Sequence, residues 1–302
     1  MKIFDAHCDT IEKIHRFGGN LYSNDYHLDT KRMQKYENFA QVFAAFTDVE
    51  ELSPNVTPTE HTLSLIECYH NQIEQNSEHI AHCATSNDIS RAFDNGKIAA
   101  MLSIEGGEAL GGDLDNLRMF YNLGVRILTL TWNHKNELGS GIFGGRGGLT
   151  DFGKAVVFEM NRLKMLIDVS HLNEAGFWDV IKITKMPVIA SHSNAFAQCN
   201  HPRNLTDKQI AALVDMQGCI GINLYTDFLN APTADIDDVS RHIEHFEKLG
   251  AGGTLGLGCD LDGVDKLPAG INGVQDIAKI PLTEDIAFRN FCNFLAKNLD
   301  FC

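Results

Sequence analysis

The chain has 302 residues, of which 44% are hydrophobic, and it carries a formal net charge of −15 at pH 7. A chain of this length can bury a large core, and such an excess of acidic side chains repels the phosphate backbone of nucleic acids. We therefore expect a globular protein that does not bind nucleic acid.

Short apolar runs alternate with longer amphipathic stretches along the chain, a pattern typical of repeated βα units. Eight of these runs have the length of strands that covering helices bury. The predicted strands are residues 2–7, 40–46, 98–104, 126–131, 165–169, 187–191, 219–224 and 254–259. Helices are predicted at residues 57–75, 113–123, 149–164, 173–184, 235–249 and 283–299, and from Thr206 onward, where Thr206 and Gln209 match a capping box.

This alternation predicts an α/β fold, a (β/α)8 TIM barrel. No internal repeat, low-complexity linker or break in composition divides the chain, although residues 17–38 and 264–282 are predicted to be long loops. We expect a single barrel domain that comprises residues 1–302.

The location in the cell is predicted from what the sequence lacks. The first residues form a strand-like run without the basic and apolar regions of a secretory signal. No apolar stretch approaches the roughly 18 to 20 residues that span a bilayer. The cysteines include no C-x-x-C pair, so neither zinc-finger spacing nor a redox motif is present. We expect a cytoplasmic protein without a membrane partner.

Side chains that could bind a metal follow the predicted strands, where the loops of such a barrel build its active site. The first run leads into Asp5-Ala6-His7-Cys8-Asp9, and the alternation of side chains places His7 and Asp9 on one side of the strand. The third run is followed by Glu105, whose charge would be costly to bury without a partner. That partner is a metal ion, or else Glu105 leaves the core at a glycine turn.

Three more runs bring ligand-type side chains to the same rim. The fifth and sixth lead to His171 and His192, and imidazole is a common zinc ligand. The eighth leads to Asp260. With the three groups named above there are six candidates at one mouth, enough for two metal ions with open positions for water.

The motifs around these residues resemble, in the same order, those of the membrane dipeptidase family, also called renal dipeptidases, within the amidohydrolase superfamily. Residues 5–9 are similar to the family's D-x-H-x-D, residues 103–107 to its E-G-G, residues 168–171 to its D-x-S-H, residues 191–193 with 202–204 to its S-H-S and R-N, and residues 258–263 to its G-x-D-F-D-G. The resemblance spans nearly the whole chain and implies a barrel of the metal-dependent hydrolase type.

The resemblance also implies a binuclear zinc centre with two Zn²⁺ per chain. His7 and Asp9 would bind one ion, His171 and His192 would bind the other, and Glu105 would bridge the two. Zinc, rather than cobalt or manganese, is the metal favoured by mixed imidazole and carboxylate ligands.

The reaction that follows is hydrolysis of the amide bond of a small dipeptide. Asp260, counted with Glu105 as catalytic, would take a proton from the attacking water and pass it to the leaving amine. Arg203 would bind the terminal carboxylate of the substrate with two parallel hydrogen bonds. A longer chain would leave that arginine unpaired, which favours dipeptides.

One position departs from the family pattern. Family members often carry a histidine just after the fourth strand that contacts the substrate carbonyl, whereas this chain has Trp132 there. His134, two residues further on, is the candidate substrate-binding residue in its place.

Two alternatives remain open. Another binuclear amidohydrolase, such as a lactonase, a phosphotriesterase-like enzyme or a deaminase, would use the same barrel. Those relatives usually have H-x-H on the first strand and often a modified lysine on the fourth, unlike His7-x-Asp9 here. A non-catalytic metal-binding barrel is the second alternative, and the presence of Asp260 favours catalysis over it.

Substrate detail and assembly are less determined. The sequence leaves open whether the second residue of the dipeptide is L or D, although family members often accept a D-residue there. A homodimer is expected by analogy with the family alone.

Overall fold

The computed structural model describes residues 1–299. Within that range the strands are β1 (Lys2–Cys8), β2 (Asn38–Phe46), β3 (Ile80–His82), β4 (Ile98–Glu105), β5 (Val125–Thr129), β6 (Leu166–Asp168), β7 (Ile189–Ala190), β8 (Cys219–Ile222) and β9 (Leu255–Leu257). The α-helices are α1 (Thr10–Phe17), α2 (Thr30–Met33), α3 (Pro58–Gln75), α4 (Ser86–Asp94), α5 (Leu114–Asn122), α6 (Asp151–Leu163), α7 (Glu174–Ile183), α8 (Asp207–Asp215), α9 (Thr226–Asn230), α10 (Ile236–Lys248) and α11 (Asn290–Asn298).

Eight of the strands close into a parallel barrel. Hydrogen bonds connect them in the order β1-β2-β4-β5-β6-β7-β8-β9, and β9 pairs back with β1 through Leu257 and Asp5. Helices follow most strands and cover the outside, so the predicted (β/α)8 TIM barrel is confirmed. Each of the eight predicted runs coincides with a barrel strand, with differences of a few residues at the ends.

The sequence analysis missed several short elements. Strand β3 pairs with the first residues of β4, and β5 pairs with the later residues of β4. Helix α4 follows β3. A capping box at Thr85 and Asp88 starts α4 and could have been found in the sequence. Helices α2 and α9 are only four and five residues long, too short to show a helical period. The predicted helix 283–299 begins as a π-helical turn over Asp285–Arg289 before α11.

The end of the barrel opposite the strand carboxyl ends is closed by an apolar floor. Side chains from seven of the barrel strands, among them Phe4 and Ile127, pack there against Phe291, Phe294 and Leu295 of α11. The rings of Phe4 and Phe291 stack with their centroids 5.2 Å apart. A Cβ atom at Gly256 would overlap the ring of Phe291. The glycine therefore admits α11 to the base of the barrel.

An irregularity in β1 determines which of its side chains face the barrel interior. Its register with β2 shifts between Asp5 and Cys8, where three steps along β1 oppose two along β2. Phe4 belongs to the floor cluster, whereas Cys8 belongs to the larger core cluster. Simple alternation would place Phe4 and Cys8 on one face, so this bulge reverses the alternation just before the rim.

Hydrogen bonds beyond the strand ends join β1 to the segment after β9. The amide of Asp260 donates to the carbonyl of His7 at 3.1 Å, and the amide of Asp9 donates to the carbonyl of Leu261 at 2.9 Å. The carboxylate of Asp5 accepts the amide of Cys259 at 2.7 Å. These hydrogen bonds hold β1 and the segment that follows β9 together.

Within residues 1–299, no helix is both long and apolar enough to cross a membrane. The single domain over residues 1–302 stays a prediction, and its last three residues lie outside the described range.

Replacing Phe291 by alanine should lower the free energy of unfolding by about 3–5 kcal/mol, because it removes a large ring that is 3% exposed from the barrel floor. The matched control is Phe158→Ala, since Phe158 is 54% exposed on α6, and it should change stability by less than about 0.5 kcal/mol. Urea denaturation measures both. Equal effects of the two variants would contradict the role assigned to the floor.

Candidate metal centre

A cavity of about 740 Å³ opens at the carboxyl ends of the barrel strands. Its wall includes Asp9, Glu105, His171 and Asp260, four of the six metal-site candidates. Glu105 is the last residue of β4, and the others follow directly after strands or come soon after them. The cavity therefore lies where the loops of a (β/α)8 barrel carry functional groups.

One group of side chains gathers around a single oxygen of Glu105. Its Oε1 lies 2.8 Å from Nε2 of His171 and 3.5 Å from Nε2 of His192. The two imidazole nitrogens are 2.7 Å apart. All three side chains are buried.

Neighbouring residues determine where the ring protons of these two histidines sit. Nδ1 of His171 faces Oδ1 of Asn133 at 2.8 Å, an oxygen that can only accept. Nδ1 of His192 faces Oγ of Ser191 at 2.7 Å, and that hydroxyl donates its own proton to Asp168 at 2.5 Å. Both rings therefore carry a proton on Nδ1 and none on Nε2.

The consequence is that two unprotonated ring nitrogens and a carboxylate oxygen point at one another across at most 3.5 Å. Lone pairs at such distances repel unless a cation lies among them. Imidazole nitrogens and carboxylate oxygens are ligands that zinc prefers, and hydrogen bonds on Nδ1 are what orients metal-binding histidines. The residues present thus fit a divalent metal ion.

A second group gathers around His7. Its Nε2, which has no hydrogen-bond partner, lies 3.3 Å from Oε2 of Glu105, 3.4 Å from Oδ2 of Asp9 and 3.9 Å from Oδ1 of Asp260. The ligand atoms of His7, Asp9 and Asp260 all lie within 4.8 Å of one another. Glu105 faces this group with one oxygen and the His171–His192 group with the other.

Burial opposes charge on nearly every group in this cluster. It raises the pKa of Asp9 to about 7, and burial together with the charge of Arg203 lowers the pKa of His171 to about 4. Burial and the proximity of His7 hold the pKa of His192 well below its ordinary value. At His7 burial is outweighed by the charges of Glu105 and Asp9, which raise its pKa well above the usual range. The cluster therefore attracts positive charge.

Asp260 occupies a constrained position in the second group. Its backbone φ is +60°, and its Oδ2 accepts a hydrogen bond from Nδ2 of Asn223 at 2.8 Å. Asn223 is held by Asn194, because the backbone N–H of Asn223 donates a hydrogen bond to Oδ1 of Asn194 at 3.0 Å. A Cβ atom at Gly263 would overlap Oδ2 of Asp9 and Oδ1 of Asp260. Glycine at this position leaves room for the two carboxylates.

Arg203 is buried close to the cluster but does not line the cavity. It is 6% exposed, and within residues 1–299 no carboxylate oxygen lies within 4.0 Å of its guanidinium nitrogens. Its Nη2 donates to the carbonyl of His192 at 3.4 Å, and its Nε has no partner. Burial lowers its pKa to about 10.

The loop after β5 presents side chains other than that of His134 to the cavity. Trp132 and Asn133 line the cavity, whereas His134 is exposed and packs against Trp132 and Phe143. The substrate-binding role of His134 stays a prediction.

Three supporting residues were not singled out from the sequence. Asp168 and Ser191 lie within the quoted motifs D-x-S-H and S-H-S, and that placement was the available signal. Asn133 is next to the departing Trp132, and nothing in the sequence links it to His171.

Comparisons with known proteins agree with this description. A family model described as membrane dipeptidase, peptidase family M19, matches residues 1–296. An uncharacterized dipeptidase of Schizosaccharomyces pombe is 35% identical over 273 residues, which cover 84% of this chain. The match covers 64% of that relative, so the chain spans about two thirds of its length.

Two solved structures share the fold over nearly their full lengths. A metallopeptidase of Rhodobacter sphaeroides, liganded with a phosphinate mimic of the dipeptide L-Ala-D-Ala, superposes with a TM-score of 0.90 at 26% identity and 99% coverage of both chains. A structure described as dipeptidase AC, a metallopeptidase of family M19, superposes with a TM-score of 0.91 at 27% identity, covering 100% of this chain and 99% of the other.

Replacing Gly263 by alanine should force the carboxylates of Asp9 and Asp260 apart and lower the free energy of unfolding by about 1–3 kcal/mol. Gly253→Ala is the matched control, because a Cβ atom there meets nothing within 4 Å. Urea denaturation of both variants is the measurement. A Gly263 variant as stable as the control would show that the carboxylates are not packed as described.

Proposed function

Because this chain belongs to the membrane dipeptidase family, we propose that it is a metal-dependent dipeptidase that holds two zinc ions and hydrolyses the amide bond of small dipeptides. The observation that carries the metal centre is the convergence of three buried imidazole nitrogens and several carboxylate oxygens on two points on either side of Glu105.

The ligands follow from these two groups. His7 and Asp9 would bind one ion, His171 and His192 would bind the other, and Glu105 would contribute one carboxylate oxygen to each. The assignment is supported by distances of 2.8 and 3.3 Å from the two Glu105 oxygens to His171 and His7. Divalent ions held by these residues would supply a Lewis acid for the carbonyl oxygen and would lower the pKa of bound water from 15.7 to roughly 7.

Asp260 is placed to move the proton. Its carboxylate lies 3.9 Å from His7, lines the cavity and is oriented by Asn223. Burial raises the pKa of Asp260, which favours a carboxylate that accepts a proton from water and gives it up to a leaving amine. Asn223 holds Oδ2, so Oδ1 is the oxygen that would exchange the proton.

Arg203 would bind the free carboxylate of the dipeptide. A buried guanidinium without a carboxylate partner is costly, and the α-carboxylate of a substrate would satisfy it. The dipeptide mimic in the Rhodobacter sphaeroides structure carries a D-residue at the corresponding end, and we propose that this chain also accepts D-residues there. The homodimer expected by analogy stays a prediction.

The proposal is tested by assaying a panel of L,L and L,D dipeptides with purified protein, with metal content measured on the same sample. Activity should vanish on chelation and return when about two zinc ions per chain are restored. Two bound ions with no cleavage of any dipeptide would reject the substrate class. Ester, lactone and phosphotriester panels would then test the other binuclear amidohydrolases.

Asp260→Asn should lower kcat/KM by about 10²–10⁴, because the amide keeps the shape of the side chain but cannot carry the proton. The bound metal should remain near the wild-type amount. Asp48→Asn is the matched control, since Asp48 also lines the cavity but lies outside the metal cluster, and it should retain most of the activity. Loss of metal in the Asp260 variant would make Asp260 a ligand instead of a proton carrier.

A further inference from the structure

We infer that Phe228 sets the size of the side chain accepted on the substrate residue that carries the free carboxylate. The inference rests on the proposed dipeptidase function and concerns a residue of α9 that no motif includes. It follows from the position of the Phe228 ring relative to Arg203.

The ring of Phe228 lies at the cavity wall, next to the guanidinium of Arg203. Phe228 lines the cavity and Arg203 does not, although Cζ of Arg203 is only 5.4 Å from the centre of the ring. Arg203 is 6% exposed. A carboxylate that pairs with Arg203 from the side of the cavity would therefore lie near this ring.

Two neighbouring rings hold Phe228 in place. Tyr225 meets it edge-on, with centroids 4.8 Å apart and planes at 87°. His201 packs against it with centroids 4.5 Å apart. Nδ1 of His201 also accepts the amide of Arg203 at 3.2 Å. The side chain beneath Phe228 thus belongs to the same short segment as the arginine.

The side-chain amide of Asn204 joins the segment that carries Arg203 to α9, which carries Phe228. Nδ2 of Asn204 donates to the carbonyl of Phe228 at 2.8 Å and to the carbonyl of Cys199 at 2.9 Å. Asn204 directly follows Arg203, so these hydrogen bonds hold the segment that carries Arg203 against α9. The backbone segments that carry the ring and the guanidinium are therefore held together by the fold.

This arrangement restricts one end of a dipeptide. The carboxylate and the side chain of its terminal residue are bonded to the same carbon atom, so pairing the carboxylate with Arg203 brings that side chain against Phe228. A small side chain fits beside the ring, whereas a large one competes with it for space. The other residue of the dipeptide lies across the scissile bond and is not restricted by Phe228.

The test compares two pairs of substrates, Ala-Gly with Ala-Phe and Gly-Ala with Phe-Ala, with the terminal residue supplied in both L and D forms where it is chiral. Wild-type enzyme should prefer Ala-Gly over Ala-Phe. Phe228→Ala should raise kcat/KM for Ala-Phe relative to Ala-Gly by about tenfold or more, chiefly through KM. The ratio for the second pair should stay unchanged.

Two further variants keep the test decisive. Phe228→Trp should strengthen the preference for Ala-Gly, which is a shift opposite to that of Phe228→Ala. It tests the role of the ring even if the alanine variant does not fold. Phe46→Ala is the matched control, because Phe46 is an aromatic wall residue of the same cavity, packed against Trp132 at 5.1 Å. It should leave the ratio of Ala-Phe to Ala-Gly unchanged.

The possible negative results distinguish failure of the proposed function from failure of the role assigned to Phe228. Wild-type protein that cleaves none of the dipeptides overturns the proposed function. Active wild-type enzyme whose ratio is insensitive to Phe228→Ala and Phe228→Trp overturns the role of Phe228 alone. An equal shift in both substrate pairs also overturns it, because the ring would then act on the whole cavity.

Discussion

The site depends on an electrostatic imbalance at the mouth of the barrel. Three buried carboxylates, those of Asp9, Glu105 and Asp260, lie close to a single buried guanidinium, that of Arg203. Charges in a region from which water is largely excluded interact strongly, so such a set is stable only with additional cations or protons. The imidazoles of His171 and His192 do not supply a proton at Nε2, because their ring protons lie on Nδ1.

The hydrogen bonds on Nδ1 of His171 and His192 connect the site to the barrel wall. The carboxylate of Asp168 accepts hydrogen bonds from the hydroxyls of Thr129 and Ser191 and from the amides of Ser170 and Ser191. Ser191 in turn orients His192. A ligand held through such a chain has little freedom to rotate, which is what a metal centre with fixed geometry requires.

The apolar floor and the polar rim have separate roles. Phe291 and its neighbours on α11 fill the barrel interior below the site, so the strands are held by dispersion and the hydrophobic effect away from the charged groups. At the rim the backbone adopts a positive φ at His171 and Asp260, which costs conformational energy in residues other than glycine.

The sequence by itself determined the number and order of the barrel strands, because buried strands have to be apolar and amphipathic stretches separate them along the chain. It also placed six candidate groups at one rim, because parallel strands in a barrel all end on the same side. The tertiary structure alone decided the bulge in β1, the hydrogen bond from His171 to Asn133, and the contact between Phe228 and Arg203. These features are contacts between residues 25 or more positions apart or shifts of register between strands, and neither leaves a local periodicity in the chain.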